Sequence, residues 1–278
     1  MKQVLRIAMD LLLEAARRRW FLALFGGITL VLLVLGLSLE LEVVDGALAG
    51  SKLFGSLLFD DIVSADRVLS GVYLGAAYAA FYGGAFFLAV ACSDFAPELL
   101  APGRIEHLLS LPVARWQLLF GTWFGVLVIT TAGILYGAVG LTVLLGVKTG
   151  LWSATLVLGS TLGLAGFSAV YSVMMCVTFF VRSAAVSGAA GLATLILGVL
   201  ASFRESLMSL MEPGLGRTLF SWLMMPMPRL GTLATVSARI AAEQPLDGEV
   251  LSRLVAGCGL FSFACLALAA WRFDRMDF

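Results

Sequence analysis

Between Arg115 and Arg182 the sequence carries a single charge, Lys148, leaving 116–147 and 149–181 as uncharged runs of 32 and 33 residues. Each is longer than the ~20 helical residues, at ~1.5 Å rise apiece, that cover a hydrocarbon core of ~30 Å. Lipid offers the backbone no hydrogen-bond partner, so such runs must close their own hydrogen bonds as helices. Their excess length predicts tilt or a protruding helix end. The remaining chain agrees: 60% hydrophobic and 13% charged residues, with a mean hydropathy of +1.00, describe an all-α, polytopic membrane protein. The 18 basic residues balance 18 acidic ones, which argues against a nucleic-acid partner.

The charge pattern divides the chain into one domain of six transmembrane helices, expected at 20–39, 69–93, 116–146, 151–181, 183–203 and 253–271. Residues 1–19 set Val4, Ile7, Ala8 and Leu11 against Lys2, Arg6, Asp10 and Glu14, the pattern of an amphipathic helix in the membrane interface. Five bases precede the first span, so the positive-inside rule puts the N-terminus in the cytoplasm, and six crossings return the C-terminus there. The expected location is a bacterial cytoplasmic (inner) membrane. Residues 40–67, with six acids against two bases, then form an outer loop in which Leu53, Phe54, Leu57 and Leu58 either rest on the outer leaflet or are simply solvated.

The 204–250 segment is expected on the outer side. Its uncharged stretch 218–228 is too short to cross, and Pro226 and Pro228 interrupt any longer helix. It reads as a re-entrant or interfacial segment followed by a short helix near 233–242, with a seventh span as the alternative. A rival reading of the N-terminus takes Arg18-Arg19-Trp20-Phe21-Leu22 as a twin-arginine export signal cleaved near Ala47-Leu48-Ala49. The long apolar run, the helix ahead of it and the later spans speak against cleavage.

Several chemistries are missing. No phosphate-binding G-x-x-x-x-G-K-[ST] loop occurs, a single histidine excludes a histidine-rich metal cluster, and Cys92, Cys176, Cys258 and Cys265 lack C-x-x-C spacing. The cysteines read as small packing residues. No span carries an ionisable residue at its middle, where proton- and ion-coupled transporters keep one despite a cost of at least ~2.5 kcal/mol. Buried acid–base catalysis is disfavoured for the same reason, and any energy for transport has to enter from a partner. Gly71/Gly75, Gly121/Gly125, Gly133/Gly137 and Gly159/Gly163 fit G-x-x-x-G and serve either packing within the subunit or a dimer face. Tyr73, Tyr78, Phe81 and Tyr82 concentrate in the second span. They line a path for an amphiphilic substrate, or are ordinary packing and lipid-facing aromatics.

Residues 94–125, DFAPELLAPGRIEHLLSLPVARWQLLFGTWFG, contrast with the spans beside them. They hold the only histidine, His107, with three acids, two arginines and three prolines. Pro102 suits a helix start and Pro112 a stop, giving a short cytoplasmic helix over 102–111. On it Ile105, Leu108 and Leu109 form an apolar face, while Arg104, Glu106 and His107 remain available to a partner. Arg115 and Trp116 then anchor the third span at the interface.

The stretch GRIEHLLSLPVARWQLLFGTWFG resembles the cytoplasmic signature of type-2 ATP-binding-cassette (ABC) transporter permeases, carried by Leu108, Leu109, Ser110, Pro112, Val113, Arg115 and Gly121. Thr122 departs from the lysine common there. The subgroup it looks most like is the one associated with multi-copper enzyme and nitrous oxide reductase maturation. The resemblance implies a non-catalytic subunit that pairs with a second permease copy or close relative, with cytosolic ABC ATPases that bind ATP and Mg, and with membrane lipid. It needs no cofactor of its own. The helix 102–111 would be the coupling helix, with Arg104, Ile105, Glu106, His107, Leu108, Leu109 and Arg115 facing or supporting the ATPase; for His107 a solvated loop role is the alternative. An ATP-driven exporter is expected, or else an assembly subunit that relays ATPase strokes to an outer-side partner.

Overall fold

The computed structural model describes the backbone of residues 2–17, 19–40, 63–110, 112–150, 152–212 and 214–276, together with the dipeptides 43–44, 47–48, 52–53 and 56–57. Side chains are described for 4–14, 17, 22–37 and, apart from 111, 151 and 213, for 70–276. Arg18 and Ala49 of the rival export-signal reading, and Phe54 and Leu58 of the expected outer turn, lie outside the described residues.

The chain is helical. In order the helices are α1 (Lys2–Arg17), α2 (Arg19–Ser38), α3 (Ala65–Ala91), α4 (Phe95–Leu99), α5 (Arg104–Ser110), α6 (Arg115–Thr149), α7 (Thr155–Ser160), α8 (Leu162–Val181), α9 (Ala184–Ser202), α10 (Arg204–Leu210), α11 (Leu215–Met224), α12 (Leu230–Ala241) and α13 (Gly248–Asp274). The described residues between α2 and α3 form two-residue extended pieces, paired antiparallel, as in Leu39 with Leu53 and Val43 with Leu48. Among the described residues, five stretches are long and apolar enough to cross a membrane: Ser70–Leu99, Arg115–Thr149, Thr155–Val181, Ala184–Ser202 and Gly248–Asp274. The protein is therefore a multi-pass membrane protein. In α2, Leu22–Leu37 is a shorter apolar helix.

Helix α8 forms the axis. Val170, Tyr171, Met174, Met175 and Phe179 are fully buried, and α8 makes its broadest contacts with α13 and α9. Its C-terminus closes on Arg182, whose φ of 50° is the left-handed conformation that ends helices, and Ser183 opens α9 at once. Arg182 and Ser183 thus form a two-residue turn, at the break between the spans expected at 151–181 and 183–203. At the other end of the bundle Gly150, at φ +73°, caps α6 by donating its N–H to Gly146.

The long α6 is a rail for the first two helices. A Cβ on Gly121 would stand 2.7 Å from Ile7, and one on Gly125 would stand 3.2 Å from Leu11, so α1 lies directly on the glycine face. Farther along, Gly133 receives Leu24 and Gly140 receives Leu32 of α2. The Gly121/Gly125 pair therefore packs within the subunit. By contrast no atom approaches within 4 Å of a Cβ placed at Gly71 or Gly75.

The 204–250 segment, read from sequence as an outer loop, contains three helices. Helix α11 is amphipathic and exposed, with Leu215 at 85% and Trp222 at 72% accessibility. Helix α12 is the opposite: Leu230, Leu233, Ala234, Ala238 and Ala241 are buried, among α3, α7, α8 and α9. At ~1.5 Å per residue its 12 residues span ~18 Å, too little to cross a bilayer. Small residues let it in. Gly198 on α9 gives way to Leu230, and Ser237 Oγ donates 2.7 Å to the carbonyl of Gly159.

Candidate functional site

Helix α5 is short because its sequence limits it at both ends. Gly103, at φ +80°, turns the chain after Pro102, and its carbonyl accepts from the His107 N–H at 3.2 Å. Pro112 follows shortly after the last turn. Ser110 Oγ donates 2.7 Å to the carbonyl of His107, satisfying one of the acceptors a helix end leaves open. The apolar face is Ile105, 2% exposed, with Leu108 and Leu109 half-buried against the main core. Glu106, His107 and Ser110 lie on the exposed side. This separation of faces is the one expected from their spacing.

One arginine holds this helix, and a second ties the helix that follows it to α13. Arg104 meets Glu14 of α1 as a two-pronged pair, Nη1 donating to Oε1 at 3.0 Å and Nη2 to Oε2 at 2.6 Å, with Glu98 of α4 at 3.7 Å. Hydrogen bonding to Glu14 raises the guanidinium above its ordinary pKa, partly opposed by burial. Arg104, expected to stay available to a partner, therefore ties α5 to the amphipathic N-terminal helix. Arg115 reaches across to the end of α13, where Nη1 donates to the carbonyls of Phe273 and Met276 at 2.7 Å each and of Asp274 at 3.3 Å. Its guanidinium also lies 5.7 Å from the centre of the Phe273 ring.

These contacts make a connected frame. Arg104 links α5 to α1, Arg115 links the start of α6 to the end of α13, α1 packs on α6, and α13 packs along the central α8. Helix α5 itself rests on α4, which packs on α8. Among the described residues no three His, Cys, Asp or Glu side chains gather to hold a metal ion.

The aromatic residues of α3 fall elsewhere, along its seam with α12 and α8. Tyr78 donates to Thr235 Oγ1 of α12 at 3.2 Å. Its ring lies parallel to that of Tyr82 at 6.2 Å, and Phe81 meets Tyr82 edge-on at 5.4 Å. Phe81 seats on Gly166 of α8, where a Cβ would stand 2.8 Å from the ring. The Tyr73 hydroxyl is buried, with no hydrogen-bond partner among the described residues. The structure thus brings Tyr73, Tyr78, Phe81 and Tyr82 together, in the half of the bundle away from α5, with α12 covering them.

Sequence reasoning missed the partners of both arginines. Glu14 is one of two acids on α1, with Asp10, and the acceptors of Arg115 are backbone carbonyls about 160 residues away; neither leaves a local pattern. In comparison with known proteins, the chain matches no protein-family model, and no curated protein matches it in sequence.

Proposed function

We propose that the chain is the transmembrane permease subunit of an ATP-driven ABC exporter, with α5 as the coupling helix worked by a separate cytosolic ATPase. The observation that carries the reading is the two-sided build of α5: Glu106 and His107 are exposed, while Ile105 is buried and Arg104 and Glu14 bind the helix to α1. A surface loop has no need of such anchoring. A lever does, because a push on a loosely held helix would be lost as local motion.

In this reading α2, 20 residues and ~30 Å long, is the first of six crossings. Both termini and α5 lie in the cytoplasm of a bacterium, and α10–α12 form an outer, re-entrant insertion. ATP and Mg are bound by the ATPase, so this chain is non-catalytic. A second copy or close relative completes the assembly, with the path between subunits bordered by α2, α3 and α9.

A second reading, an assembly subunit that relays ATPase strokes to an outer-side partner without moving a solute, is favoured by one feature. Leu215, Leu219, Trp222 and Leu223 on α11 are exposed together, from 60% to 85%, as a docking platform would be. Association and ATPase stimulation test the shared claim. Glu106→Arg and Leu109→Asp, in a complex that still folds, abolish stimulation if α5 is the lever; unchanged association and stimulation for both, and for His107→Ala, would remove the assignment. Transport into sealed vesicles separates exporter from relay.

A further inference from the structure

A cleft of about 460 Å³ opens between the start of α12 and the first turns of α13. Its polar lining is Arg229, Thr232 and Arg253, and its apolar wall is Val250, Leu254 and Cys258. We propose that this cleft binds the phosphate headgroup of a membrane phospholipid, with an acyl chain running down the outer face of α13. The inference is independent of any ATPase partner.

Charge argues for the headgroup. Both guanidinium groups line one cleft and neither is used up. Arg229 meets Glu205 only at 3.7 Å, beyond hydrogen-bond length, and Arg253 spends Nη2 on Glu249 at 2.5 Å. A guanidinium has five N–H donors in a planar fork, which matches phosphate oxygens two at a time. The two carboxylates are 78% and 67% exposed, so a phosphate can displace them into water without stranding a buried charge. Helix α12 starts immediately after Arg229, and its N-terminal dipole adds positive potential at the same mouth.

Shape argues for a lipid and not a free anion. A Cβ on Gly257 would have no atom within 4 Å, which leaves a furrow along α13 directly below the arginines. One turn farther down, Leu260 is 72% exposed on an apolar spanning helix. Cationic head site, furrow and bilayer-facing side chain follow one another along α13 in the order headgroup, glycerol, acyl chain. The volume suits a headgroup with the first carbons of its chains.

Native mass spectrometry of the full chain in non-ionic detergent, titrated with phosphatidylglycerol, tests the site. The wild-type chain is expected to fill one site ahead of the rest, and R229Q/R253Q to weaken that site by about tenfold or more, as expected for losing charge-assisted bonds. Leu254→Trp, which fills the cleft and leaves its charge intact, is expected to give the same loss and serves if the double variant does not fold. Diacylglycerol, lacking the phosphate, is expected to leave the site empty, and millimolar inorganic phosphate to leave the lipid in place. First-site binding unchanged in R229Q/R253Q or in Leu254→Trp would overturn the proposal, as would equal binding of diacylglycerol. Displacement by inorganic phosphate would identify a free-anion site instead.

Discussion

At the α5 end of the bundle, helices are joined partly by long side chains that reach across gaps, Arg104 to Glu14 and Arg115 to the carbonyls closing α13, beside the close seat of α1 on Gly121 and Gly125. At the α12 end they are joined by contact at the backbone, with Gly159 against Ser237 and Gly198 against Leu230. The physical consequences differ. An ion pair between half-exposed groups is worth roughly 0–1 kcal/mol and can be exchanged for water. A backbone contact through glycine has no slack, because protein interiors are close-packed and any added atom must displace something. The Arg104–Glu14 pair is therefore the more readily exchanged of these joints, and the α12 contact the more rigid.

The largest expected effect comes from breaking the α12 contact. Gly159→Val drives a side chain into the Ser237 carbonyl and is expected to cost about 3 kcal/mol or more, seen as loss of folded protein in detergent and a lowered Tm. Arg115→Ala removes a charged donor from three carbonyls and is expected to cost about 2–3 kcal/mol. Amide hydrogen exchange is expected to speed up at the end of α13 and to stay unchanged in α12. Equal change in both would mean that the two ends are not separable.

Smaller effects sharpen the contrast. Ser237→Ala removes one buried hydrogen bond, to Gly159, and is expected to lower stability by about 1 kcal/mol. Arg104→Gln is expected to cost under about 1 kcal/mol, with α1 exchanging faster and Tm nearly unmoved. The exchanged pair Arg104→Glu with Glu14→Arg is expected to restore the protection of α1. If Arg104→Gln instead unfolds the chain, the pair is structural and the α5 end is as rigid as the α12 contact.

The spans were legible because lipid imposes a simple demand, an uninterrupted apolar run, that shows in any window of 116–147 or 149–181. Helix α5 was legible because Gly103 and Pro112 bracket an alternation that sorts Ile105 from Glu106 and His107. Helix α12 was legible as a helix but not as a buried one: a twelve-residue helix with one apolar face looks alike at an interface and in a core. Its burial depends on Gly159, Gly166 and Gly198, contributed by α7, α8 and α9. The Gly121/Gly125 pair was visible, but its occupant was not, since Ile7 and Leu11 belong to a helix whose charges suit the membrane surface equally well.

The claim that α5 is the face an ATPase works on is tested most directly by site-specific photocrosslinking in native membranes. A crosslinking amino acid at His107 is compared with one at Thr218 on α11. The account predicts that the His107 probe captures a nucleotide-hydrolysing subunit in the cytoplasm and that the Thr218 probe does not. Capture of that subunit from position 218, or from neither position in an assembly that retains activity, would contradict it.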